Sequence, residues 1–182
     1  MSELQLRYAG PEDNALLAEL GRETFADTLA ADNTPENMAA YLAQSFSPAR
    51  QAQELADPNC RFMIAQLGDD IVGFTKIQFG PAPAAVGGRR PMEISRIYAR
   101  KPWIGKGIGS RLMQACLDEA AHGGCDVVWL GVWQRNPRAI AFYRQWGFEV
   151  AGTATFQLGD DPQVDYLMTR SVQSENPALS PP

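Results

Sequence analysis

Histidine is almost missing from this 182-residue chain: there is one, His122, and it precedes Gly123-Gly124 at what reads as a helix end. Cysteine is scarce too. Cys60, Cys116 and Cys125 are odd in number, form no CxxC spacing and sit among apolar neighbours, so they read as buried thiols and not as disulfides or metal ligands. None stands next to the histidine, which argues against a cysteine nucleophile activated by an imidazole. No apolar run reaches the ~18 residues of a membrane span, and the N-terminus lacks the basic-then-apolar pattern of a secretion signal. The expectation is a cytoplasmic protein without a membrane partner. Basic residues are outnumbered 21 to 16, giving a net charge of -5, and no basic recognition helix stands out, so direct nucleic-acid binding is disfavoured. The length and the 45% hydrophobic content fit one catalytic-sized domain over residues 1–170, with a disordered tail over 171–182.

One absence is local. Between Glu93 and Asp118 there is no acidic residue, yet the segment carries Arg96, Arg100, Lys101, Lys106 and Arg111. Inside it lies Ile104-Gly105-Lys106-Gly107-Ile108-Gly109-Ser110, a glycine-rich turn between an apolar strand end and a helix. Such a turn bares backbone N–H groups, and the positive end of the helix dipole favours an anion there. A cationic patch on an acidic chain, centred on this turn, points to a phosphate-bearing ligand. The turn lacks the Gly-Lys-Ser/Thr ending of a P-loop, and no early βαβ unit leads into it as a dinucleotide fold requires.

Periodicity and turn signals give a strand at 4–8, then a helix started by Pro11-Glu12-Asp13 and running to about Asp27. Further helices follow Thr34-Pro35-Glu36, with Met38, Tyr41, Leu42 and Phe46 as the apolar stripe, and occupy 48–57. A hairpin spans 61–67 and 71–79, residues 80–91 form a flexible excursion, and 92–98 is a central strand feeding the turn. A helix over 110–122, a buried parallel strand at 127–132, and a closing hairpin at 148–156 and 164–169 complete the chain.

Asn136-Pro137-Arg138-Ala139-Ile140-Ala141-Phe142-Tyr143 reads as a capped helix that Gly147 ends. With the glycine turn about thirty residues upstream, it resembles the GCN5-related N-acetyltransferase (GNAT) superfamily. That resemblance implies a mixed α/β (α+β) fold. Its mostly antiparallel twisted sheet of about seven strands is flanked by helices, and a parallel strand pair splays at the acetyl-CoA site. It further implies that Ile104, Gly105, Lys106, Gly107, Ile108, Gly109 and Ser110 hold the CoA pyrophosphate, that Asn136 meets the pantetheine arm, and that Tyr143 protonates the departing thiolate. The family usually has Gln or Arg where this chain has Ile104. Backbone N–H groups around Ile97 and Tyr98 would polarise the thioester, transfer would be direct, and no metal is needed. Thr24-Phe25-Ala26-Asp27-Thr28, Asn33-Thr34-Pro35-Glu36-Asn37-Met38, Trp129-Leu130-Gly131-Val132-Trp133 and Leu158-Gly159-Asp160-Asp161 look like the PaiA-type branch, described as polyamine N-acetyltransferases.

An alkylamine with a pKa near 10.4 is almost wholly protonated at pH 7, a handicap of roughly 4 to 5 kcal/mol, so a base is required. Glu93, at the start of the strand that leads to the turn, is the expected base; its alternative role is an ion pair with Arg96 or Arg100. Residues 1–36 hold eight acidic and two basic side chains, and Asp160, Asp161 and Asp165 cluster near the other end. Both regions border the acceptor cleft in the superfamily, so Glu23, Asp27, Glu36 and Asp165 are expected to contact a small-molecule amine. A protein or peptide acceptor, a non-catalytic acyl-CoA-responsive regulatory module, and a homodimer all remain open on sequence alone.

Overall fold

Three short cap signals set the helices on one side of the molecule. In the computed structural model, which describes residues 3–172, α1 (Asn14–Leu29) is followed by α2 (Pro35–Ser45) and α3 (Pro48–Ala56). Thr34 and Ser47 accept hydrogen bonds from the amides of Asn37 and Arg50, and proline fills the first helical position after each. The Pro11-Glu12-Asp13 signal makes one 3-10 turn, and α1 proper begins at Asn14. Asp13 explains the tight start: its carboxylate accepts from the Gly10 amide at 2.8 Å and pairs with Arg7 at 2.8 Å.

Seven strands form a single sheet: β1 (Leu4–Tyr8), β2 (Cys60–Leu67), β3 (Asp70–Phe79), β4 (Pro91–Ala99), β5 (Val127–Trp133), β6 (Glu149–Leu158) and β7 (Asp161–Ser171). Their order is β1-β2-β3-β4-β5-β7-β6, antiparallel everywhere except between β4 and β5. This is the mixed, mostly antiparallel architecture expected. The parallel pairing lasts for three positions, Pro91 with Val127, Met92 with Val128 and Glu93 with Trp129. Beyond Glu93 and Trp129 the two strands no longer pair with each other, so the sheet opens into a V. A register shift against β3 leaves Ser95 between the paired Ile94 and Arg96 and turns the second half of β4.

Two further helices, α4 (Ile108–His122) and α5 (Pro137–Gln145), cover one face of the sheet. There Met92 and Ile94 of β4 meet Val128, Leu130 and Val132 of β5 with Met113 and Cys116 of α4 and Ile140 of α5. The other face belongs to α1, α2 and α3. Leu17 and Leu20 pack on Phe62, Ile64 and Phe74, while Phe25, Met38 and Phe46 gather with Leu158. Strand alternation therefore turns Glu93 of β4 and Trp129, Gly131 and Trp133 of β5 toward this second side.

The excursion over 80–91 is tied at its far end. Asp126 accepts from the amides of Arg89 and Arg90 at 2.7 and 2.9 Å, and Val86 is buried. Strand β7 reaches Ser171, which pairs with Val127, and the Val172 amide donates to Asp126. The rest of the expected disordered tail lies outside the described residues. Cys60, Cys116 and Cys125 are all buried and free. Burial pushes the Cys116 thiol up to about 12 and Cys60 to about 11. No helix among the described residues is long and apolar enough to cross a membrane.

Candidate active site

The glycine turn forms at the wide end of the V. Gly105 (φ 80°) and Gly107 (φ 84°) both adopt left-handed backbone, which glycine adopts without steric cost, and Gly107 caps α4. A Cβ at either would meet nothing within 4 Å, so open space lies before the turn. The amides of Gly105, Gly107, Ile108, Gly109 and Ser110 donate to no backbone carbonyl, the first helical bond being Arg111 N to Gly107 O, and no side chain caps the helix. Five free N–H groups at a helix N-terminus suit a pyrophosphate. Lys106 lies over the Trp103 ring at 4.8 Å, keeping positive charge beside them. The exposed Ile104 fills the place where the family usually has a longer polar side chain.

Helix α5 stands across from this turn, with Phe142 3.5 Å from where a Cβ on Gly109 would lie. Asn136 caps α5 through Oδ1, which accepts from the Ala139 amide at 3.1 Å and leaves its Nδ2 uncommitted. Tyr143, half-buried on α5, packs edge-on against Phe142 and Phe148. Burial raises its phenol above the ordinary tyrosine range.

Tyr98, in the splayed half of β4, is where the elements converge. Burial raises its phenol first; Tyr41 of α2, Tyr143 of α5 and Asp165 of β7 lie close enough to raise it further, and Arg96 opposes them. Asp165 sits opposite Trp133 in the β5–β7 ladder, and a Cβ added to Gly131 would come within 3.3 Å of its Oδ2. Gly131 thus leaves the room the carboxylate occupies. Burial alone lifts Asp165 to about 6. Its Oδ1 has neither solvent nor a hydrogen-bond partner, and Gln163 Oε1 is in the same condition.

The remaining expected residues are scattered around this centre. Glu93 lies at the closed end of the V, raised by burial and drawn back by Ser95, Lys76 and Arg96. It enters no ion pair among the described residues: Arg96 binds Glu54 at 2.7 Å, and Arg100 binds Glu23 at 2.9 Å. Glu23 is therefore engaged, tying α1 to the end of β4. Asp27 and Glu36 are exposed. Two hydrogen bonds, Gln163 Nε2 to Asn33 Oδ1 at 2.6 Å and the Asp160 amide to Asn37 Oδ1 at 3.0 Å, join the α1–α2 junction to the β6–β7 turn. Ile97 and Tyr98 lie where β4 has lost its β5 partner. Sequence reasoning missed Tyr41, read only as part of an apolar stripe, together with Gly131 and Gln163. The alternation of Gln163 and Asp165 on one face of β7 was the available signal.

A free-amide turn, a splayed parallel pair and a capped helix bearing a half-buried tyrosine thus meet at one end of the sheet. The chain belongs to the acetyltransferase (GNAT) family, whose model matches residues 23–148. An uncharacterised N-acetyltransferase of Lactobacillus delbrueckii subsp. lactis is 30% identical over 94% of this chain and 99% of its own length. One from Mycobacterium bovis is 35% identical over 86% of this chain and 96% of itself. Among solved structures, the PaiA N-acetyltransferase of Thermoplasma acidophilum in complex with coenzyme A superposes with a TM-score of 0.76 at 21% identity, covering 93% of this chain and 99% of that one. The protein is an acetyl-CoA-dependent N-acetyltransferase.

Proposed function

We propose that the acceptor is a polyamine of the spermidine and spermine type. The observation that carries this reading is an acidic seam without counter-charge. Asp32, Glu36, Asp160 and Asp161 flank the two hydrogen bonds that join α1–α2 to β6–β7, and Asp165 lies two residues inward of Gln163. None of these carboxylates, nor Asp27, pairs with a cation among the described residues. A ligand with several ammonium groups would satisfy the inner carboxylate and the outer ones together.

The residues divide the work. Amides of Gly105 and of Gly107 to Ser110 receive the pyrophosphate, and the Asn136 amide nitrogen is free to donate to the pantetheine arm. Bound acetyl-CoA supplies the activated acetyl group. On the unpaired edge of β4, N–H groups near Ile97 and Tyr98 polarise the carbonyl under attack. Tyr143, kept protonated by its buried setting, holds the proton that the leaving thiolate takes. The acceptor's ammonium must first lose a proton, and two carboxylates share the α1–α3 face of the sheet, Glu93 at the closed end of the V and Asp165 nearer its mouth.

Steady-state kcat/KM for spermidine, spermine, a monoamine of similar length and a lysine peptide, at about 0.1 M and about 1 M salt, tests the acceptor. Screening shortens from ~10 Å to ~3 Å across that range, so KM for the polyamines should rise while the monoamine changes less. A preference for the peptide or the monoamine would overturn the polyamine reading and leave the acetyl-CoA site intact.

A further inference from the structure

Among the described residues, only two buried side-chain polar atoms lack a hydrogen-bond partner, Asp165 Oδ1 and Gln163 Oε1. Both are acceptors. They belong to neighbouring side chains on the same face of β7, two residues and therefore roughly 6.6 Å apart along the strand. The orientation of the Gln163 amide is fixed by its partners: Asn33 donates through Nδ2 to Leu29 O, so Asn33 Oδ1 must accept, and Gln163 Nε2 donates to it and to Asp161 Oδ2. Buried polar groups in folded proteins are nearly always satisfied, and an unmatched pair of acceptors calls for a ligand made of donors. An ammonium has donors and no acceptor.

The surroundings fit the same ligand. Tyr41 from α2 and Tyr98 from β4 stand close to Asp165, Tyr143 from α5 reaches the same centre through Tyr98, and Trp133 lies opposite Asp165 on β5. Aromatic faces beside a carboxylate are a cation's environment. Of the cations nearby, Arg96 is held by Glu54 and Gln51 and lies over the Phe46 ring, and Arg135 lies over the Trp133 ring at 5.4 Å; neither forms an ion pair with Asp165. On its own strand Asp165 shares its face with Gln163 and Leu167, and the nearest acidic neighbour there, Asp161, is occupied by Gln163. Glu93 differs: the charged groups beside it, Lys76 and Arg96, are both cations.

We propose that Asp165, whose carboxylate lies beside the side-chain-free face of Gly131, is the residue that receives the proton of the acceptor's ammonium. This rests on the reading of the chain as an amine acetyltransferase. The balance is complete with the established co-substrate. One N–H proton passes to Asp165, the nitrogen lone pair forms the new N–C bond, and the C–S bond breaks with its electron pair on sulfur. The Tyr143 proton then makes the thiol. The two side chains return to their starting states by passing the Asp165 proton to Tyr143, directly or through solvent, and the second amine proton leaves with the product to solvent. Burial assists: a carboxyl near 6 is ionised at neutral pH and is a stronger base than an exposed one.

Asp165→Asn in the full chain, with spermidine, provides the test. Affinity for acetyl-CoA by calorimetry should be unchanged, and kcat/KM at pH 7 should fall at least 100-fold. The acidic limb near pH 6 should vanish, with activity instead climbing about tenfold per pH unit as the solution supplies free amine. Glu93→Gln should keep the limb. Melting separates this from a structural role: removing an unpaired buried charge should leave Tm equal or higher, whereas a lower Tm or a chain that does not fold would overturn the assignment. Gly131→Ala, which alters no charge but crowds Oδ2, should raise KM for the amine several-fold with acetyl-CoA binding intact; no change there would count against the assignment. If the limb persists in Asp165→Asn and disappears in Glu93→Gln, the base is Glu93. A wild-type chain that releases CoA with no amine would instead bring down the acetyltransferase reading itself.

Discussion

Burial lifts both Tyr143 and Asp165 above their ordinary ranges, with opposite consequences for the two. A raised phenol is more firmly protonated at neutral pH, as a proton donor should be; a raised carboxyl stays ionised above about pH 6 yet holds a proton more strongly once it has one. Tyr143→Phe keeps the ring and its packing on Phe142 and Phe148 while deleting the proton, so kcat should drop roughly 10- to 10,000-fold with the acetyl-CoA dissociation constant almost unmoved. Wild-type kcat in that variant would return Tyr143 to a packing role. The sign for stability follows from the same shift. The unfolded Asp165 ionises near pH 4 and the folded one near 6, so its contribution to folding worsens as pH climbs between those values and is constant above them. Glu54, held low by Arg96 and Lys76 against the opposing effect of its burial, acts the other way and loses its stabilisation as pH falls.

At the scale of elements, the proposed cofactor end is the junction of β4 and α4, whose geometry is set locally. Gly107→Glu puts a side chain on a left-handed residue and a negative charge among five free amides, in space that is otherwise open. The variant should fold and lose acetyl-CoA binding, and calorimetry showing unchanged affinity in the folded variant would refute the assignment of the turn. Locality also explains why the glycine turn and the helix cap were legible in the sequence. Gly105, Gly107 and Asn136 act through backbone geometry and caps that are set within a few residues. The strand and helix sequence was legible for the same reason, with starts displaced where a side chain such as Asp13 reorganises the first turn. The surroundings of Asp165 were not legible. Gln163 owes its fixed orientation to Asn33, 130 positions away, and Asp165 faces Tyr41 and Tyr98 only because β7 inserts between β5 and β6. Tyr41 looks like any apolar helix position until that insertion is known, and Arg96 was a candidate partner for Glu93 until α3 brought Glu54 to it.

Over the whole molecule, the two ends of the site are joined by a sheet whose halves share three parallel pairings between β4 and β5. A ligand lodged in the opening beyond them touches both halves and is absent from the unfolded chain. At 100 times its dissociation constant, acetyl-CoA should therefore stabilise the fold by about 2.7 kcal/mol, which for a domain of this size is a rise in Tm of roughly 5 to 10 °C. Thermal melts with and without the ligand check this, and Gly107→Glu should show no rise. The buried thiols carry a practical consequence at the same scale. Cys116, Cys60 and Cys125 are withheld from solvent and raised above the pH at which thiolates react, so a disulfide reagent counting released CoA meets no competing sulfur from the folded enzyme. Added without substrate, the same reagent becomes a clock for global opening: its colour develops only as fast as the core comes apart, and its endpoint is three sulfurs per chain.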